Sequence, residues 1–394
     1  MENILLNFLV PLTILFFVPK IIFRLYSIPF PITEIVLGIT IGSVFPGFFA
    51  QDDILQVIST LGIITLFVHS GMEVDLHFIL RRKRFFIENI LRSMVVITLV
   101  AVLIKYLFKT SLIIGFVASL GFTTPSASYI FSMLRLESNK LKNWIGGKAI
   151  AGELLALIMV VVLLNISKPV KLAISLAAVI LLVTLLPFVL RAIYRIVFSK
   201  LIGQEFSFIF VVAVISAFVT EMLGLHFLFG AFLAGIVSRE FVHHLVKAKE
   251  YKHVTVETGQ QIIEGFSYFA ILFAPFYFFS VGLTLSSQDI SFSIVLSTIA
   301  LGLGILAVRM FFIVLHRRSR IQEPRARSFQ ISVAILPTLF FSFVIAEILR
   351  TNFEADVLLF NTLMVYGLVS TIVGFVLQRI TTLKRRFKSI KIQS

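Results

Sequence analysis

The sequence contains no cysteine and one tryptophan, and charged residues make up only 14% of its 394 residues. Without cysteine, the chain has no disulfides, no iron–sulfur clusters and no thiol nucleophile, and it gives no indication of redox compartment. The motifs HExxH, GxSxG and GxxxxGK[ST] are absent, as is any aspartate-rich pair for magnesium–diphosphate. We therefore expect neither an enzyme, nor a bound cofactor, nor ATP as an energy source within this chain.

Apolar residues are what the sequence has in excess, at 58% of the chain with 43 phenylalanines. Stretches of about 20 apolar residues are long enough to cross a bilayer. We predict an all-α polytopic membrane protein of about 13 transmembrane helices. The spans lie at roughly 4–24, 30–49, 54–72, 86–108, 112–134, 144–165, 170–194, 206–223, 226–242, 262–285, 291–315, 327–349 and 356–379.

The net charge of +15 is distributed as in a membrane protein and does not form a nucleic-acid-binding face. About 27 lysines and arginines fall in alternate loops and in the tail, against about five in the opposite loops. This bias predicts an outside N-terminus and a cytoplasmic C-terminus. Because no basic segment precedes the first apolar run, we expect no cleavable signal peptide. The absence of a targeting sequence and the compact length predict a bacterial or archaeal inner (plasma) membrane location.

Matching features recur about 211 or 212 residues apart. Pro125 matches Pro337, and Gly71 in HSGMEVDL matches Gly282 in FSVGLTLS. The glycines of GITIG and GAFLAG match less well in register. An offset of seven spans is odd, so the repeats must be inverted, as in secondary transporters. We predict one transporter domain with repeats at 1–165 and 206–379, a linking span at 170–194 and a basic cytoplasmic tail at 380–394.

Pro125 and Pro337 each lie inside a predicted span, where proline removes a helical hydrogen bond and frees a carbonyl group. One interpretation is a simple kink. The other is a discontinuous helix, which membrane proteins tolerate only where the unwound backbone is buried or lines a cavity. The polar residues of FTTPSAS favour a discontinuous helix at Pro125, with Pro337 as its symmetry mate.

Aspartate is absent from every span centre, so any carboxylate within the membrane must belong to a glutamate. Glu153 has the deepest position, and the small residues Ala149, Gly152 and Ala156 suit close helix packing beside it. A charge at that depth costs at least about 2.5 kcal/mol, which favours a functional role. The other candidates lie near span ends, where they can reach water: Glu34, Glu73, Glu88, Glu221 and Glu347.

Three basic residues also fall within spans. Arg309 either snorkels to the inner surface, counters the negative ends of broken half-helices, or pairs with a glutamate. Lys148 and Arg92 lie nearer the inner interface, which favours snorkelling for both.

These segments resemble the monovalent cation:proton antiporter superfamily, nearest its branch of sodium/proton exchangers and potassium-efflux proteins. The similarity runs almost from end to end. It is carried by PITEIVLGITIG, LGIITLFVHSGMEVDL, FTTPSASYIFSMLR, AGELLALI, GLHFLFGAFLAGIVS and PFYFFSVGLTLS.

The resemblance implies a homodimer in which a core bundle with crossed broken helices moves against a scaffold bundle. It implies that Glu153 alternately binds a monovalent cation and a proton, helped by Thr123, Thr124 and Ser126. Arg309 falls where the family has a basic residue in its eleventh span. Two departures matter: the family acid is usually aspartate, and position 152, often a second acid or an amide, is Gly152.

We therefore predict exchange of Na⁺, with K⁺ as the other candidate, for H⁺. A single carboxylate holds either one proton or one monovalent cation, so the exchange should be electroneutral. Two alternatives remain open at this point: a carrier of an organic anion that engages Arg309, and a non-transporting or channel-like relative on the same fold.

Overall fold

The computed structural model describes residues 2–46, 53–127, 129–130, 139–196, 204–248, 256–286 and 292–393, and every regular element within them is helical. The all-α prediction is confirmed. The helices are α1 (Glu2–Tyr26), α2 (Phe30–Val44), α3 (Asp53–Met72), α4 (Leu76–Arg81), α5 (Lys83–Leu107), α6 (Leu112–Thr123), α7 (Asn139–Asn165), α8 (Pro169–Ile196), α9 (Glu205–Met222), α10 (Phe227–Ala248), α11 (Val256–Ser286), α12 (Phe292–Ile321), α13 (Arg325–Ala334), α14 (Leu339–Phe353) and α15 (Val357–Gln393).

Helices coincide with the predicted spans along the described chain, but the count of 13 is not confirmed. Eight described helices are long and apolar enough to cross a membrane, and α13 with α14 would make a ninth. The helices α2 and α6, of 15 and 12 residues, are shorter than the roughly 20 residues that a span needs. For α6 the reason is the break that follows it.

The structure divides into two compact units, each built from two separate parts of the chain. The first unit comprises residues 1–81 and 164–287, and the second comprises residues 82–163 and 288–394. Each unit therefore combines spans from both predicted repeats. The repeat boundaries themselves stay a prediction.

In the first unit, glycine allows two pairs of helices to cross at very short distance. A Cβ added to Gly38 of α2 would lie 2.9 Å from the Cα of Gly282 in α11. One added to Gly71 of α3 would lie 3.0 Å from the Cα of Gly235 in α10. Small residues permit such close backbone packing in membranes, where van der Waals contact drives helix association. Gly71 and Gly282 match in the predicted repeat. The repeat therefore relates the crossing of α3 with α10 to the crossing of α2 with α11.

The second unit contains α5 to α7 and α12 to α15, and both proline breaks lie within it. The helix α14 packs against α6 and α15, and α12 packs against α13 and α15. These contacts bring the two interrupted segments together. The candidate functional site lies there.

Candidate functional site

The first interruption follows α6 and is a local consequence of Pro125. Helix α6 starts where the Ser111 side chain accepts a hydrogen bond from the Ile114 amide, and it ends at Thr123. Thr124 is extended (φ −76°, ψ 118°) because a residue before proline is disfavoured in the α conformation. Helical structure resumes at Ala127. The interruption leaves carbonyl and amide groups without helical partners inside the membrane.

The carbonyl groups at the end of α6 receive hydrogen bonds from side chains of the second unit. The Tyr366 hydroxyl of α15 donates to the Phe122 carbonyl at 2.8 Å. The Ser342 hydroxyl of α14 donates to the Gly121 carbonyl at 2.9 Å. Buried backbone groups need such partners, since an unpaired one costs about as much as a lost hydrogen bond. Sequence reasoning missed both residues, although a tyrosine and a serine inside apolar spans were visible signals.

Ser126 joins the first interruption to the second. Its backbone amide donates to the Pro337 carbonyl at 2.9 Å. Its hydroxyl oxygen accepts from the amide of Phe340, in the first turn of α14, at 3.2 Å. Ser126 is completely buried. The two breaks thus satisfy each other's freed backbone groups.

The second interruption separates α13 from α14, and the two helices are bent by 47°. Arg309 of α12 donates to the Leu336 carbonyl at 2.8 Å and to the Ile335 carbonyl at 3.0 Å. It also donates to the Tyr366 hydroxyl at 3.2 Å. These carbonyls form the negative end of α13, where a cation is favourable. The position of Arg309 matches the interpretation in which its positive charge counters the negative end of a broken half-helix. Arg309 is only 4% exposed, so it does not snorkel to the surface.

Glu153 of α7 lies at the first interruption. It is 3% exposed, and its Oε1 accepts a hydrogen bond from the Ala127 amide at 2.7 Å. Ala127 is the first helical residue after the break, and its amide is one of those that the break frees from a helical partner. A hydrogen bond from such an amide stabilises the negative charge of a carboxylate. The structure therefore places the predicted acid against a freed amide group at the break.

A glycine lies against each proline of the two interruptions. A Cβ at Gly152 would be 3.0 Å from Cδ of Pro125, and one at Gly374 would be 3.2 Å from Cγ of Pro337. Gly152 precedes Glu153, and its position is the one where the family often has a second acid. A larger residue there would have to displace the ring of Pro125.

The remaining predicted residues lie at the break but are not brought to the Glu153 carboxylate. The Thr123 hydroxyl donates to the Ser119 carbonyl of its own helix at 2.7 Å. Thr124 is buried and lines a cavity together with Thr123, Pro125 and Arg309. Lys148 and Arg92, for which the sequence favoured snorkelling, line the same cavity.

Known proteins resemble this chain in sequence and in fold. Residues 12–382 match the family model described as "Sodium/hydrogen exchanger, transmembrane". The chain belongs to the sodium/hydrogen exchanger family.

Two archaeal proteins illustrate the relationship. The chain is 24% identical over 336 residues to a "Probable Na(+)/H(+) antiporter 3" of Methanocaldococcus jannaschii, covering 79% of this chain and 81% of that protein. The fold of this chain matches that of the sodium proton antiporter MjNhaP1, also from Methanocaldococcus jannaschii, with a TM-score of 0.67 and 13% identity. That match covers 97% of this chain and 98% of the other. The resemblance seen in the sequence is thereby confirmed, as is the antiporter fold, and the family consists of transporters, not enzymes.

Proposed function

We propose that this family member exchanges one Na⁺ for one H⁺ across the membrane by alternating access, with Glu153 as the group that carries either ion. The observation that carries the proposal is a buried carboxylate held against a freed amide at a broken helix. One carboxylate alternates between a proton and a cation, so the exchanged charges are equal. The exchange is then electroneutral.

The other glutamates inside helices of the second unit are poorer candidates. Glu88 pairs with Arg84 and Arg92, at 3.4 and 3.6 Å, and its side chain is 31% exposed. Glu347 pairs with Arg350 at 2.9 Å and is 47% exposed. Exposed ion pairs of this kind contribute little and hold their charge in contact with water.

In the first unit, Glu34 is also buried, at 5% exposure. It lies near the start of α2, which continues without interruption to Val44. An uninterrupted helix uses its own backbone groups and offers neither freed amides nor freed carbonyls along its length. We therefore assign exchange to Glu153.

The oxygen atoms around the break supply the cation site in this proposal. A hard cation takes oxygen ligands, and in this proposal the hydroxyl and carbonyl oxygens of Thr123, Thr124 and Ser126 at the break supply them together with Glu153. The hydroxyl oxygen of Ser126 accepts one hydrogen bond from Phe340 and keeps a second lone pair. We propose further that the protein is a homodimer of the inner membrane, with its N-terminus outside and its C-terminus in the cytoplasm.

Proteoliposomes loaded with a pH-sensitive dye test the assignment. Na⁺ added to wild-type vesicles with an imposed pH gradient should dissipate that gradient, and K⁺ should do so more weakly. Glu153→Gln keeps the size and the hydrogen-bonding capacity of the side chain but cannot exchange a proton. We expect it to abolish the signal.

Glu347→Gln and Glu34→Gln are the matched controls, one exposed and one buried, and both should retain exchange. Exchange that survives in Glu153→Gln, or is lost in Glu34→Gln alone, contradicts the assignment. A rate that changes with an imposed membrane potential contradicts electroneutrality, because each net charge moved would couple to about 2.3 kcal/mol per 100 mV.

A further inference from the structure

The second unit contains a partly open cavity of about 50 Å³ beside the first interruption. In volume it has room for about three or four waters. Its lining includes Arg92, Lys148 and Arg309 as well as the hydroxyl-bearing residues Ser93, Thr123 and Thr124. No carboxylate is among the lining residues in the part of the chain that the structure describes.

The charge of this lining is unusual for the sequence as a whole. The other lysines and arginines are assigned to loops, span ends or the tail. Of these, Arg317 is also buried, and it pairs with Glu323 at 2.5 Å. Arg92, Lys148 and Arg309 are the exceptions, and the fold gathers all three around one small space. Like charges at close range repel, and ionisable residues within a membrane usually pair with an opposite charge.

Existing partners offset only part of this charge. Arg309 faces the end of α13, where the helix supplies about half a negative charge. Arg92 forms an ion pair with Glu88 at 3.6 Å. Lys148 has no carboxylate within 4 Å among the described residues; its ammonium group lies 5.9 Å from the centre of the Trp144 ring.

We propose that this cavity binds a small monovalent inorganic anion of the halide or nitrate class, with Lys148 and Arg92 as its main ligands. Ammonium and guanidinium groups donate charge-assisted hydrogen bonds to anions. The hydroxyl groups of Ser93 and Thr124 can supply further donors, whereas that of Thr123 already donates to Ser119. The volume suits one such ion with a water or two better than it suits a large organic anion such as gluconate.

The chain contains a natural reporter for this site, because its only tryptophan, Trp144, has its ring centre 5.9 Å from the Lys148 ammonium group. Iodide quenches tryptophan fluorescence at short range. The experiment titrates iodide into the purified full-length protein at constant ionic strength, with gluconate as the replaced anion. We expect saturable quenching that chloride reverses and gluconate does not. Caesium, a cationic quencher, should give only a linear response.

Lys148→Gln removes the charge but keeps a hydrogen-bond donor, and it should raise the half-saturating iodide concentration on the order of tenfold. The matched control is Lys105→Gln. Lys105 also lies 5.9 Å from an aromatic ring, that of Tyr106, but it is exposed and does not line the cavity. It should bind iodide like the wild type. Linear quenching in the wild type, or saturable quenching that Lys148→Gln leaves unchanged, overturns the proposal.

Arg92→Gln provides a second test where Lys148→Gln does not fold, and folding of each variant is checked by size-exclusion chromatography. We expect the same direction of change, because both side chains line the cavity. Iodide binding that Arg92→Gln does not weaken also overturns the proposal. None of these measurements depends on transport, so they stand apart from the assignment of Glu153.

Discussion

The two interruptions of the second unit both free buried backbone groups, but the side chains that pair with those groups differ in chemistry. At the first, the freed Ala127 amide is paired with the Glu153 carboxylate, a group that can gain or lose a proton. At the second, the freed carbonyls of Ile335 and Leu336 are paired with Arg309, whose guanidinium stays charged at any physiological pH. One break therefore carries an exchangeable charge and the other a fixed one.

The difference indicates a division of labour. A fixed positive charge at the second break can hold the crossing together throughout a transport cycle. A carboxylate at the first break can change its state without loss of the crossing, because Ser126 still joins the two interruptions through Pro337 and Phe340. The account thus predicts loss of transport with little loss of stability at Glu153, and loss of both at Arg309.

Among the variants considered, Arg309→Met should have the largest effect on stability. It leaves two buried carbonyls without their donor, at about 1–3 kcal/mol each. We expect a marked fall in the melting temperature of the purified protein, together with loss of exchange. Arg309→Lys keeps the charge but not the planar fork, so it should recover only part of the stability. A variant Arg309→Met that melts like the wild type contradicts the fixed-charge role.

Tyr366→Phe tests the link between the breaks, because its hydroxyl donates to Phe122 and accepts from Arg309. Removal of one donor to a buried carbonyl should lower stability by about 1–3 kcal/mol. That is less than the loss expected for Arg309→Met. Thermal unfolding in detergent compares the stability of the two variants. If Tyr366→Phe loses more stability than Arg309→Met, then Tyr366 and not Arg309 is the main support of the crossing.

Alanine in place of Gly152 or Gly374 compares the two breaks through a small steric change at each. Gly152→Ala presses on Pro125 next to Glu153, whereas Gly374→Ala presses on Pro337 at the fixed break. Overpacking of this kind costs about 1–3 kcal/mol at most sites. We expect only Gly152→Ala to change the Na⁺ concentration for half-maximal exchange. Equal changes in both variants would argue against a difference between the breaks.

The smallest effect concerns pH and Glu323, which lies between α12 and α13. A hydrogen bond from Arg317 at 2.5 Å holds the pKa of Glu323 below its usual value of 4.5. The lowered pKa contributes stability that is present above the unfolded-state pKa and is lost as pH falls through the folded-state pKa. The wild type should therefore lose melting temperature below about pH 4.5 more steeply than Glu323→Gln does. Parallel curves would contradict this contribution.

Local chemistry made much of this structure predictable. Apolar length placed helices at the predicted spans, and proline at positions 125 and 337 marked both interruptions, because proline cannot donate within a helix. The depth of Glu153 followed from the position of its span alone. These features depend on residues that are near one another in the sequence.

Other features depend on tertiary packing, which spacing does not encode. Spacing does not show which backbone groups the Arg309 side chain reaches, so the sequence leaves its partner open among three interpretations. The packing of α15 against α6 brings Tyr366 to Phe122, 244 residues away in sequence. Lys148 and Arg92 seemed close enough to the interface to snorkel, but the fold gathers them around a cavity.

We propose Glu153 as the single exchanging group, and proton release from the purified protein tests this assignment. Na⁺ is added to purified protein in weak buffer, and released protons are counted against bound Na⁺. The account predicts one proton per Na⁺ in the wild type and none in Glu153→Gln. Two protons per Na⁺, or release that persists in Glu153→Gln, would contradict it.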